Sequence, residues 1–247
     1  MDLLAFGPHP DDIEIGMGAT IAHHVTEGFD VGLCDLTAGE LGSNGTPAER
    51  LAEAELARAT LGGRIRWNLG LPDGRINEHD QDQLLKVVTL IRRERPRVVT
   101  APYWEDRHPD HVGASQLLSR AVYLSHLRRY APEHPPWRVE WLCYYFINDT
   151  MVRPSFVIDV SDHYESKRNA LACYRSQFQQ SSETLPTRIN TPAFMQVVES
   201  RDAQFGAANG ARFAEGFVVR HPLVRSTLMP LAADRVRSSR DETPARP

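Results

Sequence analysis

The sequence is poor in cysteine, with three in 247 residues. They are Cys34, Cys143 and Cys173, far apart and without the Cys-x-x-Cys spacing of a thiolate zinc site. Three separated cysteines form no disulfide framework of the kind that stabilises small secreted domains. We therefore interpret them as small buried hydrophobic side chains. Any metal ligands have to come from other residue types.

Long apolar runs and an excess of positive charge are also missing. No stretch approaches the roughly 20 apolar residues that cross a bilayer, and the first residues lack the basic start of a signal peptide. The net charge is −4, so no basic field attracts nucleic acid or a membrane surface. These absences predict a cytoplasmic protein that acts on a small molecule.

The chain does have enough apolar material for a large core. With 41% hydrophobic and 24% charged residues, it can bury the core of one α/β domain. We predict a single domain over residues 1–230 and a disordered tail over residues 231–247. The tail is predicted to be disordered because it is polar and charged and contains proline.

Short apolar runs alternate with helical periodicity through the first half of the chain. The predicted strands are 3–6, 31–36, 65–69 and 98–101, and the predicted helices are 13–27, 46–61, 80–94 and 112–127. The segment Thr46-Pro47-Ala48-Glu49 is a capping box with proline at the first helical position. This alternation predicts a parallel sheet with right-handed crossovers.

The second half of the chain is less regular. Strands over 141–147 and 156–160 should extend the sheet, and a last short strand is predicted over 216–219. The predicted helices are 164–177 and 192–205, with a loop over 181–191 between them. These elements form a smaller C-terminal extension of the same fold.

Two histidine motifs each follow a predicted strand and precede a predicted helix. The first is Gly7-Pro8-His9-Pro10-Asp11-Asp12, and the second is Arg107-His108-Pro109-Asp110-His111. Open α/β sheets carry their chemistry on loops at the carboxyl ends of the strands. Both motifs are therefore expected at that edge of the sheet.

The motifs contain the ligands that a catalytic zinc uses where thiolates are absent, and such sites have three protein ligands. His9 and Asp12 can supply two of them and His111 the third. His108 and His111 are three residues apart, so a helix start can direct both rings into one cleft.

A divalent cation lowers the pKa of its water toward ~7. Asp11, next to a ligand but free of the metal, suits removal of that water's proton.

His108 is then the candidate to protonate the leaving group or to stabilise charge on the intermediate, with Asp110 orienting its ring. The first motif taken alone also fits a tight turn with a helix-capping aspartate. The presence of two such motifs, each at the end of a strand, favours the metal site. The same ligands also suit Fe²⁺, Mn²⁺ and Co²⁺.

The two motifs resemble those of the LmbE-like, or PIG-L-like, family of zinc-dependent N-acetylglucosaminide deacetylases. Further segments are similar to the bacillithiol-biosynthesis branch of that family, which deacetylates N-acetylglucosaminyl-malate. These segments are Thr37-Ala38-Gly39-Glu40, Gly42-Ser43-Asn44-Gly45-Thr46, Leu69-Gly70-Leu71-Pro72-Asp73-Gly74, Tyr174-Arg175-Ser176-Gln177-Phe178 and Ala214-Glu215-Gly216-Phe217. The similarity extends over nearly all of residues 1–225.

The resemblance implies a Rossmann-like α/β fold, with a mostly parallel sheet and helices on both faces. It implies zinc on His9, Asp12 and His111. It also implies that Asp11 is the general base, that the imidazolium of His108 assists the tetrahedral intermediate, and that the protein is a homohexamer. Some relatives have a tyrosine two residues before the first histidine of the second motif. This chain has Asp106 there, so the oxyanion donor stays open, with zinc and His108 acting together as the candidate.

A malate conjugate carries two carboxylates, and arginine binds carboxylates in a bidentate manner. Arg50 and Arg107 are the candidates, because they follow or lie within loops at the active edge. Either arginine could instead be solvated or paired with Glu53 or Asp106. Glu40, in the glycine-rich loop, is a candidate to bind sugar hydroxyls, although an exposed loop acid would look the same in sequence.

The expected reaction is hydrolysis of an N-acetylglucosaminide to acetate and a free amine. Alternative substrates are a chito-oligosaccharide, a mycothiol-type inositol glycoside or a thiol conjugate. A dinucleotide-binding domain is a remote alternative, because Gly7-Pro8-His9 stands where a GxGxxG turn would bring glycines against a pyrophosphate.

Overall fold

The computed structural model describes residues 1–148, 151–182 and 184–222. Its strands are β1 Leu3–Gly7, β2 Val31–Asp35, β3 Ile65–Asn68, β4 Val98–Pro102, β5 Trp141–Tyr145, β6 Phe156–Asp159 and β7 Ala214–Val218. Its helices are α1 Asp12–Thr26, α2 Pro47–Leu61, α3 Gln81–Glu94, α4 Pro109–Ser125, α5 Tyr164–Cys173, α6 Arg175–Phe178 and α7 Pro192–Ala207, with a short 3-10 helix at Ser161–His163.

The strands form one sheet in the order β3-β2-β1-β4-β5-β7-β6. Strands β1 to β5 are parallel to one another, whereas β7 is antiparallel to both β5 and β6. The predicted Rossmann-like, mostly parallel α/β fold is confirmed. From β1 the chain builds outward through β2 and β3, then returns to place β4 on the other side of β1. Ligands of open sheets bind at such a switch point.

The core lies in two layers, one on each face of the sheet. Along β1, Leu3 and Ala5 face one layer while Leu4 and Phe6 face the other, as the alternation of a strand requires. Residues of α1, α2, α5 and α7 belong to the first layer, and residues of α3 and α4 belong to the second. Helices therefore cover both faces, as predicted.

Most element boundaries agree with the sequence prediction to within a few residues. The capping box of α2 is confirmed, since the Thr46 side chain accepts from Glu49 N and the Glu49 side chain accepts from Thr46 N. The helix predicted over 164–177 is wrong in one respect, because the chain breaks it at Tyr174 into α5 and α6. The break places Ser176 against Glu53 of α2, which accepts from both its amide and its hydroxyl.

The predicted tail over 231–247 and the predicted domain limit at 230 lie outside the described residues. Among the residues that the structure does describe, no helix is long and apolar enough to cross a membrane.

Candidate metal centre

The two histidine motifs meet because β1 and β4 are parallel neighbours. The loop after β1 leads into α1, and the loop after β4 leads into α4, so both loops lie at the same edge of the sheet. Asp11 is the residue before α1 and His108 is the residue before α4. The two predicted motifs thus come together at the switch point of the sheet.

His9, Asp12 and His111 converge on a common centre. His9 Nδ1 lies 2.9 Å from Asp12 Oδ2, and His111 Nε2 lies 3.3 Å from the same oxygen. One ligand atom from each residue lies within 4.8 Å of the other two. Two imidazoles and one carboxylate, all largely buried, are a suitable donor set for a catalytic divalent cation. The residues therefore fit the metal that the resemblance implies.

Each imidazole has a carboxylate at its second ring nitrogen. His9 Nε2 lies 3.1 Å from Asp73 Oδ1, and His111 Nδ1 lies 3.2 Å from Asp106 Oδ1. Such carboxylates fix the orientation and tautomer of a ligating imidazole. They leave His9 Nδ1 and His111 Nε2 directed at the shared centre. Neither carboxylate was predicted in this role. In the sequence, Asp73 belongs to a segment similar to the bacillithiol branch, and Asp106 stands in place of a tyrosine and as a possible partner of Arg107.

We expect Asp106→Asn to weaken metal binding about 10- to 100-fold, because the ring of His111 loses the carboxylate that orients it. Zinc affinity measured by competition with a chromophoric chelator checks this prediction. The matched control is Glu105→Gln at the exposed neighbouring position, which should bind zinc as the wild type does. Equal affinities of Asp106→Asn and the wild type would show that Asp106 does not orient the ligand.

The acidic and basic side chains of the centre shift one another's pKa. Burial alone would lower the pKa of His111. The neighbouring carboxylates Asp12 and Asp106 have the larger opposite effect and raise that pKa to about 9. The pKa of His9 is likewise raised well above its usual value, since its carboxylate neighbours outweigh burial. Burial opposes ionisation of Asp12, yet His111 and His9 hold its pKa well below the usual range. Opposite charges are thus paired throughout the centre.

Asp11 is buried beside the centre in an unusual backbone conformation. Its φ of 108° lies in the left-handed region, which few residues other than glycine adopt. Burial raises the pKa of the Asp11 carboxyl to about 7, although the Arg50 guanidinium opposes the shift. Arg50 Nη2 lies 3.3 Å from Asp11 Oδ2. A carboxylate at this place, next to the ligands but outside them, suits the predicted general base.

His108 lies across the centre, with its ring 4.9 Å from that of His9 and 4.7 Å from that of His111. Its Nδ1 accepts a hydrogen bond from the backbone N–H of Asp110, so the neutral ring carries its proton on Nε2. Burial and the two neighbouring imidazoles lower its pKa.

The prediction that the Asp110 side chain orients His108 needs correction. The Asp110 carboxylate accepts from Gly74 N at 2.6 Å and Ile76 N at 3.3 Å, and lies 3.5 Å from His9 Nε2. These contacts bring the loop after β3 up to the start of α4. The orienting group for His108 is therefore the main-chain amide of Asp110, which helix α4 places there as part of its first turn.

A cavity of about 400 Å³ opens above the centre. The predicted residues in its wall are His9, Asp11, Asp12, Arg50, Arg107, His108 and His111. Glu40 is not among the lining residues; it is exposed and its carboxylate accepts from Asp73 N at 2.9 Å. Arg50 lies in the wall, but its guanidinium also donates to the backbone carbonyls of Gly39 and Pro10.

Arg188 also lines the cavity and was not predicted. It lies in the loop expected over 181–191, where no motif marked it. Its Nη1 donates to Asn148 Oδ1 at 2.9 Å, and its guanidinium lies 5.2 Å from the centre of the Phe194 ring. Burial and the like charge of Arg107 lower the pKa of Arg188. The cavity therefore has two neighbouring arginines in its wall.

Comparison with known proteins places this site in a family. The sequence profile of the family described as GlcNAc-PI de-N-acetylase (PIG-L) matches residues 4–122. A crystal structure of a conserved protein from Thermus thermophilus superposes with a TM-score of 0.83 at 40% identity, covering 94% of this chain and all of that one. The chain belongs to the PIG-L family.

Two named relatives of this PIG-L protein have different substrates in their names. A diacetylchitobiose deacetylase from Thermococcus kodakarensis is 28% identical over 230 residues, which are 87% of this chain and 81% of the relative. A 1D-myo-inositol 2-acetamido-2-deoxy-alpha-D-glucopyranoside deacetylase from Saccharopolyspora erythraea is 29% identical over 241 residues, covering 75% of this chain and 87% of the relative. The PIG-L match over 4–122 contains both histidine motifs, whereas Arg188 lies beyond it.

Proposed function

We propose that the protein is a metal-dependent N-deacetylase that hydrolyses an N-acetylglucosaminide, most specifically N-acetylglucosaminyl-malate, to acetate and the free amine. The observation that carries the proposal is the convergence of His9, Asp12 and His111 in one cavity with Asp11 and His108. Membership of the PIG-L family and the names of both relatives support the same reaction class.

His9, Asp12 and His111 would hold the cation, which we propose to be zinc. When bound, a divalent cation acts as a Lewis acid on the amide carbonyl and lowers the pKa of water. The donor set itself is also compatible with Fe²⁺, Mn²⁺ and Co²⁺.

The remaining side chains move protons. Asp11 accepts the proton of the attacking water, because its carboxylate lines the cavity beside the ligands and is held by Arg50. His108 presents Nε2 to the substrate, since Nδ1 is occupied by the Asp110 amide. The Nε2–H of the neutral ring donates a hydrogen bond to the developing oxyanion, and the proton that Asp11 takes from the water passes to the departing amine.

Arg107 and Arg188 in the cavity wall support the assignment of an anionic substrate. Among the described residues, neither Arg107 nor Arg188 has a carboxylate within ion-pair distance, although both line the cavity. Two neighbouring arginines in the wall of a cavity favour binding of an anion, and malate offers two carboxylates. Diacetylchitobiose and inositol glucosaminides carry none, so the arginine pair favours the malate conjugate over the relatives' named substrates.

We expect the wild-type enzyme to release acetate from N-acetylglucosaminyl-malate with a kcat/KM at least about tenfold above that for neutral methyl N-acetylglucosaminide, a difference of roughly 1.4 kcal/mol. Arg107→Met and Arg188→Met should each remove most of this preference by raising KM for the malate conjugate only. Exposed Arg93→Met, on α3, is the control. Equal kcat/KM on both substrates in the wild type would contradict the malate assignment and favour a neutral glucosaminide.

Glu40 as a ligand for sugar hydroxyls, the homohexamer and the cytoplasmic location stay predictions of the sequence and its family resemblance.

A further inference from the structure

Helix α1 is bent close to the candidate metal centre. Met17 has φ −150° and ψ 22°, which are not helical, so the first turn after Asp12 is separated from the rest of the helix. Buried amide and carbonyl groups at a bend need partners from outside the helix.

Two buried side chains from distant parts of the chain supply those partners. The Glu215 carboxylate of β7 accepts from Ala19 N at 3.2 Å and from Thr20 N at 2.6 Å, which caps the second part of α1. Arg201 of α7 donates from Nη2 to Ile15 O at 2.8 Å, on the other side of the bend. Glu215 therefore accepts from two backbone N–H groups after the bend, and Arg201 donates to one backbone carbonyl before it.

These two residues belong to a buried ion cluster, whose members are Lys167, Arg201, Asp202 and Glu215. Lys167 Nζ lies 2.6 Å from Asp202 Oδ2 and 2.7 Å from Glu215 Oε1, and Arg201 Nε lies 2.9 Å from Asp202 Oδ1. Each member is at most 2% exposed. The two positive and two negative charges balance. Burying such groups gains little stability over apolar residues of equal size.

The ion cluster also reaches the opposite wall of the cavity. Arg201 Nη1 donates to Phe146 O at 2.8 Å and to Ile147 O at 3.0 Å, just beyond β5. Ile15 and Ile147 both line the cavity, so one guanidinium joins the segment that carries Asp12 to the segment after β5. Through Arg201, the packing of α7 and β7 is connected to the geometry of the candidate metal centre.

We propose that the ion cluster holds the bend of α1 and thereby positions Asp11 and Asp12 for metal binding and catalysis. This assigns a role to the segment Ala214-Glu215-Gly216-Phe217, which the reaction itself does not use. The inference rests on the proposed function in taking Asp12 as a ligand and Asp11 as the base. Arg201 and Glu215 are positioning residues, because they act through the helix and do not line the cavity.

The test compares zinc affinity of folded variants by competition with a chromophoric chelator, together with kcat, KM and thermal unfolding. Glu215→Gln keeps the size of the side chain but replaces one acceptor oxygen by an NH₂ group. That NH₂ group faces a helix N–H, so two hydrogen-bond donors are placed against each other. Arg201→Lys keeps the charge but loses the forked donor. We expect either change to weaken zinc binding about tenfold or more and to lower kcat with little change in KM, as for other outer contacts of a metal site.

The matched control is Arg92→Lys. Arg92 is an equally buried arginine that donates to backbone carbonyls, including Leu124 O and Ser125 O at the far end of α4. It should lower the melting temperature and leave zinc affinity unchanged. If Arg201→Lys does not fold, Glu215→Gln decides the question, and Glu215→Asp, which restores the charge, should recover part of the affinity.

The proposal would be overturned if the Glu215 and Arg201 variants melt at lower temperatures but keep wild-type zinc affinity and kcat. These variants would then behave like the control Arg92→Lys. Zinc affinity is measured without substrate. A wild-type protein that binds zinc but releases no acetate would contradict the proposed function, whereas weaker zinc binding by the variants would still support the role of the ion cluster.

Discussion

Asp11→Asn lowers kcat by about 10²- to 10⁴-fold while the protein keeps its metal. The change removes the proposed proton acceptor and leaves His9, Asp12 and His111 in place. Asparagine is the appropriate substitution because it tolerates the positive φ of 108° at this position better than alanine does. The measurement is the rate of acetate release at saturating substrate, alongside metal content after dialysis.

Asp12→Asn provides the contrast for this experiment, since it changes the neighbouring carboxylate that faces both imidazoles. It should lower metal content as well as activity. If Asp11→Asn and Asp12→Asn lose metal to the same extent, the two aspartates do not have separate roles. If Asp11→Asn retains wild-type kcat, Asp11 is not the base.

His111→Ala abolishes stable metal binding and, with it, turnover. The substitution removes one of the three proposed protein ligands, and it deprives Asp12 and Asp106 of the imidazole that pairs with both. We expect affinity for zinc to fall on the order of 100-fold or more, since even loss of an outer contact costs 10- to 100-fold. Metal content after dialysis and chelator competition both measure the effect.

The control for His111→Ala is His79→Ala, because the side chain of His79 is 74% exposed and lies outside the cavity. It should keep full metal content and activity. Full metal content in His111→Ala would mean that the cation uses other ligands, with His9, Asp73 and Asp110 as the second group of suitable geometry.

The fold and the proximity of the two histidine motifs could be predicted because both depend on patterns within short segments of sequence. Strand and helix periodicity depends on which face of each element is buried, and that can be read from a few neighbouring residues. The capping box at Thr46 depends only on Glu49, three residues away. The histidine motifs follow the same rule, because each is a short segment at the end of a strand.

Contacts between distant segments could not be predicted in this way. Asp73 reaches His9 from the loop after β3, and Arg188 reaches the cavity from the loop before α7. Both placements depend on the order of strands in the sheet, which single motifs do not contain. The bend at Met17 is similar, since its stabilising partners Arg201 and Glu215 come from the other end of the chain.

The proposed zinc-dependent deacetylation can be measured as acetate release from N-acetylglucosaminyl-malate by one preparation, before metal removal, after exhaustive chelation and after addition of zinc. We expect acetate and free amine in equal amounts, loss of activity on metal removal, and recovery on addition of about one zinc per chain, the number that one three-ligand site holds. Undiminished acetate release from fully metal-free protein would contradict this expectation.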